Sequence, residues 1–200
     1  LKKDNAGKNT KYAIREMLLA KIPEPRILEA YGGKGELGKT LYAKFPGVVF
    51  EKDEKKTPHL VEQRPHWAVY EGDCVKAIAA GIGFHHSPNF FDVDPYGSPW
   101  PAIRAIFSNA DRLPDVFGVV VNDGLRRAAM LGRAWKVEEL APYAQKLGNQ
   151  GVHKQWANVV RDIFDGVARS AGFEIKEWAI KSAGDGGQMT HYAAVVERTR

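Results

Sequence analysis

Apolar runs that end in turn residues alternate with helix-like stretches, and this alternation most limits what the chain can fold into. The runs cover 26–30, 48–51, 67–70, 90–94 and 117–122, and the helix-like stretches cover 35–44, 53–63, 74–80 and 101–110. Such a rhythm predicts an α/β fold: an open, mostly parallel sheet with helices on both faces. A helix over 10–21 precedes the first strand, with Ile14, Met17 and Leu18 at helical spacing. The strongest helical pattern is 153–171, where Trp156, Val159, Val160, Ile163, Phe164 and Val167 share a face and Gly172 is placed to end it. Trp156 therefore reads as core, whereas Trp135 and Tyr143 are open between core and stacking. Strands over 173–180 and 190–197, joined by the glycine-rich linker 181–189, predict an antiparallel hairpin at the sheet edge. Residues 124–154 break the rhythm. They are basic, aromatic and interrupted by Gly132, Pro142, Gly148 and Gly151, and read as an insertion with short helices.

The 200 residues suit one domain, 1–200, with a full core. There is no apolar run of membrane-spanning length and no opening signal-peptide pattern. The single cysteine, Cys74, excludes an intramolecular disulfide and fits a reducing compartment, so a cytoplasmic location is expected. His85-His86 is the sole histidine pair, and adjacent residues suit one metal poorly, so no metal is expected. The net charge of +5 is uneven: the excess lies in the N-terminal arm and helix, 1–25, and in 124–154. A basic margin on a near-neutral body suits a phosphate backbone, with plain solubility as the alternative.

Residues 26–38 read as strand, glycine-rich turn and helix start. Gly33, Gly35 and Gly38 satisfy G-x-G-x-x-G, so a nicotinamide cofactor has to be weighed. Three acids favour another ligand. Glu29 lies at the end of the first strand, Glu51 ends the second, and Asp73 follows the third, at equal intervals of twenty-two residues. This puts one acceptor at each of three successive strand tips, where ligands of open α/β sheets bind. A diphosphate wants no carboxylate beside it. A ligand with an ammonium, a sulfonium, a ribose and an adenine amine tolerates all three. Glu51 and Asp73 as helix caps are the plain alternative.

The segment Asp92-Val93-Asp94-Pro95-Tyr96-Gly97-Ser98-Pro99 follows the fourth strand. Asp94 can accept hydrogen bonds from an amine. Pro95 stiffens the turn and aims its carbonyl. Tyr96 offers a face on which a base can stack. That set suits chemistry on the exocyclic amine of a nucleobase, with Asp94 as proton acceptor. The alternative for Asp94 is an N-cap over 101–110. Asp92 shares the face of Asp94 by strand periodicity and reads as a supporting or structural group. Asp123 reads equally as a substrate or donor contact and as a loop cap.

With these residues the chain resembles the class I S-adenosylmethionine-dependent methyltransferases from about 10 to 197. The resemblance implies a Rossmann-like, seven-stranded sheet with a terminal antiparallel hairpin, and S-adenosylmethionine as cofactor. It assigns Tyr31, Gly32, Gly33 and Gly35, with Glu29, to the donor loop, Glu51 and Lys52 to the ribose, and Asp73-Cys74 to the adenine. Lys11 and Tyr12 are expected at the methionine end, with Asp94 beside the methyl. Asp94-Pro95-Tyr96-Gly97-Ser98-Pro99 is similar to the Asp-Pro-Phe-Gly-Ser-Pro motif of the tRNA guanine-N2 dimethyltransferases. Asn122-Asp123 is similar to a Thr-Asp there. Tyr96, Ser98, Asn122, Asp123, Arg126 and Arg127 form the expected substrate set. The expected activity is N-methylation of a base amine, guanine N2 of RNA ahead of adenine N6 of DNA. A small-molecule or protein methyltransferase and a non-catalytic donor-binding module are the competing classes. The length leaves no room for the large C-terminal RNA-binding domain of those enzymes, so a partner subunit or homo-oligomer is an expected source of substrate contacts.

Overall fold

A computed structural model of the protein describes residues 7–184 and 187–200. Residues 1–6 of the expected arm, and Asp185 and Gly186 of the linker, lie outside the described residues. Seven strands form one sheet: β1 Ile27–Glu29, β2 Gly47–Glu51, β3 Trp67–Glu71, β4 Phe90–Val93, β5 Val116–Asp123, β6 Phe173–Ala183 and β7 Met189–Arg198. Their order is β3-β2-β1-β4-β5-β7-β6. The first five are parallel, and β7 runs antiparallel between β5 and β6. The expected hairpin is present, with β7 rather than β6 against β5. The strand order reverses at β1, which pairs with both β2 and β4, and crevices at such switch points receive ligands.

The helices are α1 Lys8–Leu19, α2 Glu36–Lys39, α3 Thr57–Gln63, α4 Cys74–Ala79, α5 Trp100–Phe107, α6 Arg126–Met130, α7 Ala141–Lys154 and α8 Trp156–Ser170. The central strands are buried on both faces, which is why they read as short unbroken apolar runs. Side chains alternate between two cores. Leu28, Phe91 and Val119 pack with Trp100, Phe117 and Phe164 on one face. Ile27, Phe90 and Val120 pack with Ile14, Leu18 and Tyr42 on the other.

Three expectations are corrected. The helix expected over 35–44 is only the four residues of α2, because the chain turns after Thr40 to bury Tyr42. The helix over 153–171 starts at Trp156, and His153 and Lys154 belong to α7. Residues 124–154 do hold the expected short helices, α6 and the kinked α7, but they are part of the core rather than an insertion on it: Ala129, Ala134, Leu140 and Val152 join the main cluster, where Trp156 also packs. Gly148, at φ 68°, kinks α7. Among the described residues no helix is long and apolar enough to cross a membrane, and no group of three or more His, Cys, Asp or Glu could hold a metal.

Candidate active site

The glycine loop crosses the switch point. Ala30 N–H donates to the Asp92 carbonyl at 2.9 Å, and Gly32 N–H donates to the Phe50 carbonyl at 2.8 Å, so the chain leaves β1 by pairing first with β4 and then with β2. A Cβ on Gly32 would come within 2.6 Å of Val49, whereas one on Gly33 would meet nothing. Gly33 and Gly35 take φ of 56° and 77°, which glycine adopts without strain. Glu51 fastens this loop from the tip of β2. Its Oε2 accepts from Gly33 N–H at 2.7 Å and its Oε1 from Asp53 N–H at 2.9 Å. At the tip of β3, Asp73 caps α4 through Oδ1, which accepts from Val75 and Lys76 N–H at 3.1 and 3.2 Å. Its Oδ2 lies 3.9 Å from the ammonium of exposed Lys52. Burial raises the pKa of both Tyr31 and Cys74.

Glu29 corrects one expectation. It does not face the loop's open side: it is 2% exposed, and its Oε2 accepts from Arg64 Nη1 at 2.5 Å. Arg64 lies over the Trp67 ring, 4.6 Å from its centroid. Burial raises the Glu29 carboxyl towards about 7 against the pull of Arg64. The third glycine of the G-x-G-x-x-G pattern is explained by the same pair. A Cβ on Gly38 would sit 1.9 Å from Arg64 Nε, so Gly38 makes room for a guanidinium rather than a diphosphate. The four-residue α2, with Glu36 in its first turn, is also a poor phosphate anchor. Gly38→Ala is expected to lower the melting temperature sharply. Overpacking costs about 1–3 kcal/mol, and a displaced Arg64 leaves a buried carboxylate unpaired. An unchanged Tm in thermal denaturation would mean that Arg64 moves aside freely.

Asp94 follows directly on β4 and is largely buried. Its Oδ1 accepts from Asn122 Nδ2 at 2.5 Å, and its Oδ2 accepts from Lys11 Nζ. Burial pushes its pKa up, but Arg15, Lys11 and Asn122 together hold it below the usual carboxylate value. It is not an N-cap. Pro99 precedes α5 without a side-chain cap, and the Trp100 N–H donates to Ser98 Oγ at 3.3 Å. Two residues on, Tyr96 is fully exposed.

Asp92, on the same face, is wholly buried and structural. It accepts from Arg15 Nε and Nη2 at 2.7 and 2.6 Å and from the Tyr42 hydroxyl at 2.5 Å. The two acids meet two cations by a match of repeats. Lys11 and Arg15 are one turn apart on α1, about 6 Å, and Asp94 and Asp92 are two strand residues apart, about 6.7 Å. Residues Arg15 and Arg64 were missed in the sequence. The available signal was a charge beside the apolar stripe of Ile14 and Leu18, which burial obliges to find a partner.

Several other expected site residues have other employment. The Tyr12 hydroxyl pairs with Thr40 Oγ1 at 3.0 Å and its ring packs against the smaller core. Arg126 ties α6 to the hairpin, donating from Nη1 to Ser182 Oγ at 2.8 Å and the Gly187 carbonyl at 3.2 Å. Arg127 is exposed. Asp123 is a buried loop cap, accepting from Leu125 N–H at 2.7 Å and from Tyr192 OH at 3.4 Å, which corrects its expected substrate role. Burial raises its pKa from 3.8 to about 7. The folded state therefore binds the proton more tightly than the unfolded one, and the stability this gives below about pH 4 is lost as pH rises to 7. Asp123→Asn keeps an acceptor for Leu125 and is expected to flatten the fall of Tm across pH 4–7. An unchanged slope would show that Asp123 titrates normally.

No family model matches the chain, and no curated protein matches it. Solved structures do. Trm1 from Pyrococcus horikoshii in complex with S-adenosyl-L-methionine aligns with TM-score 0.67 at 12% identity, over 96% of this chain and 54% of that one. The N-methyltransferase NodS from Bradyrhizobium japonicum in complex with S-adenosyl-L-homocysteine aligns with TM-score 0.61 at 10% identity, over 99% and 90%. TYW2 from M. jannaschii in complex with AdoMet aligns with TM-score 0.57 at 11% identity, over 94% and 76%. The chain thus spans about half the length of the Trm1 chain. Its fold is the Rossmann-like, seven-stranded α/β fold of these structures.

Proposed function

We propose that this chain is an S-adenosylmethionine-dependent methyltransferase that acts on an exocyclic base amine of nucleic acid, foremost guanine N2 of RNA. The observation that carries the reading is Asp94: an ionised carboxylate beyond β4, held by Asn122 and Lys11, two residues from a fully exposed Tyr96.

The residues at the switch point fit the donor. Gly33 leaves open space above the loop. The acids suit a ligand that carries positive charge and hydroxyls but no phosphate. Tyr31, Gly32, Gly33 and Gly35 would cradle its methionine part, Glu51 with Lys52 beside it the ribose, and Asp73 Oδ2 with Cys74 the adenine. Glu29 supports the loop from behind through Arg64. When bound, S-adenosylmethionine supplies an electrophilic methyl on a sulfonium. The similarity to Trm1, NodS and TYW2, each solved with that donor or its demethylated product, supports the choice.

Asp94 and the Pro95 carbonyl accept the two N–H groups of the amine and aim its lone pair at the methyl carbon. Orientation of this kind supplies much of the acceleration in a displacement. With the donor bound, which would supply the methyl and leave as a neutral thioether, Asp94 would accept the proton that the amine gives up. Asn122 holds the second carboxylate oxygen still. Lys11 keeps Asp94 ionised until the amine takes its place. Tyr96 stacks the base, which leaves its own stack to reach the site. The guanine-N2 preference rests on the likeness of 94–99 to the Asp-Pro-Phe-Gly-Ser-Pro motif.

The test is transfer of radiolabelled methyl from S-adenosylmethionine to separate pools of unmodified tRNA, rRNA and unmethylated DNA, followed by nucleoside identification. Label in N2-methylguanosine is the expected result. Label in N6-methyladenine would replace the substrate, and no label in any pool, with donor binding confirmed in parallel, would overturn the nucleic-acid assignment.

A further inference from the structure

Residues 126–136 close into a compact unit beyond the end of β5. Leu131 N–H donates to the Arg127 carbonyl at 3.0 Å, Arg133 N–H to the Ala128 carbonyl at 2.7 Å, and Lys136 N–H to the Arg133 carbonyl at 3.0 Å. The unit is anchored: Ala129 and Ala134 are buried, and Ala134 N–H donates to Asn149 Oδ1 at 2.9 Å. Yet this rigid base leaves Trp135 60%, Leu131 56% and Met130 41% exposed. The segment contains four Arg or Lys and no Asp or Glu. Arg127, Arg133 and Lys136 are exposed, and Lys136 Nζ lies 5.0 Å from the centroid of the Trp135 ring. Of the two acids that follow the segment, Glu139 pairs with Arg104 at 3.2 Å and Glu138 is exposed. An aromatic face with cations beside it and no carboxylate in the segment is complementary to a base and its phosphates.

The unit is also well placed. β4 and β5 are parallel neighbours, with Val93 opposite Val121, so the Asp94–Ser98 turn and the 126–136 unit leave adjacent strands at the same end of the sheet. We infer that this surface binds a single-stranded stretch of RNA flanking the target base, with Trp135 stacking one base and Arg127, Arg133 and Lys136 meeting phosphates. The inference rests on the nucleic-acid reading above and extends it, because it gives the chain a substrate platform of its own.

The test is fluorescence anisotropy of a labelled twelve-nucleotide single-stranded RNA, with the wild type, Trp135→Ala, Trp135→Phe and the double variant R133E/K136E. Unchanged donor affinity and Tm serve as controls for folding. Trp135→Ala is expected to weaken binding about 5- to 150-fold, the range for removal of one base stack, and Trp135→Phe to restore most of it. R133E/K136E is expected to make the salt dependence shallower by roughly 0.7 in log–log slope for each phosphate that the variant no longer neutralises. Equal affinity in all four proteins, or no RNA binding by the wild type, overturns the inference. So does a concentration-dependent dimer in sedimentation that Trp135→Ala abolishes, because the surface then belongs to a second copy. Methyl transfer to RNA by the wild type is measured separately. If it persists in Trp135→Ala with unchanged affinity, the surface fails while the proposed function stands. If RNA binds through Trp135 but only small molecules are methylated, the proposed function fails while the surface stands.

Discussion

Replacing Asp94 with alanine is expected to cut methyl transfer by roughly a hundred- to ten-thousand-fold, the range supplied by a positioned acid or base, and to leave donor affinity within about threefold. The split follows from where the groups lie. The loop that would cradle the donor is fastened by Glu51 through Gly33 N–H, and Asp73 sits at the tip of β3, so neither depends on Asp94. Asp94 instead bonds to Asn122 and Lys11. Asp94→Asn should be nearly as impaired, because it keeps the shape but loses the charge that faces Lys11 and receives a proton. Asn122→Ala is expected to fall between Asp94→Ala and the wild type, since it frees the carboxylate to rotate without removing it. Equilibrium dialysis with the donor, alongside initial rates on whichever nucleic-acid pool accepts label, measures both halves. Donor binding abolished together with transfer would move Asp94 into the donor site or the scaffold.

The parallel half of the fold was legible because its strands are buried on both faces. Val48, Val49 and Phe50, or Phe90 and Phe91, form short apolar runs that nothing interrupts, and each run ends at an acid or a turn. The acids at the tips were legible for the same reason: Glu51, Asp73 and Asp94 are polar residues at the end of apolar runs. What they bond was not legible. Arg15 is 77 residues from Asp92 and Arg64 is 35 from Glu29, and no local pattern encodes such partners. Glu29 looked like a ligand for a cation and proved to have a cation of its own. Asp123 read equally as a substrate or donor contact and as a loop cap, and the Leu125 amide makes it the cap. The glycines and the proline of 124–154 suggested an insertion with short helices. The buried Ala129, Ala134, Leu140 and Val152 are too small and too widely spaced to announce a packed face, although they form one.

The largest effect on stability is expected from Arg15. Arg15→Met leaves Asp92 wholly buried with only the Tyr42 hydroxyl, and breaking a buried ion pair from one side costs about 3–5 kcal/mol. For a chain of this size each kcal/mol shifts Tm by about 2–4 °C, so a fall of roughly 6–20 °C is expected. Tyr42→Phe removes one hydrogen bond and should cost only about 1 kcal/mol. The triple variant Arg15→Met, Asp92→Leu, Tyr42→Phe removes every polar member and is expected to recover much of that Tm, since a buried pair replaced by apolar groups is often neutral. Catalysis should respond differently. Arg15 is the strongest influence holding the Asp94 pKa down, so its removal raises that pKa in the single variant, and by less in the triple variant, which also loses the opposing charge of Asp92. The acid limb of the transfer rate against pH should therefore move to higher pH in both, while Tm differs widely between them. An acid limb that stays at its wild-type position in the single variant would mean that Arg15 does not hold the Asp94 pKa down.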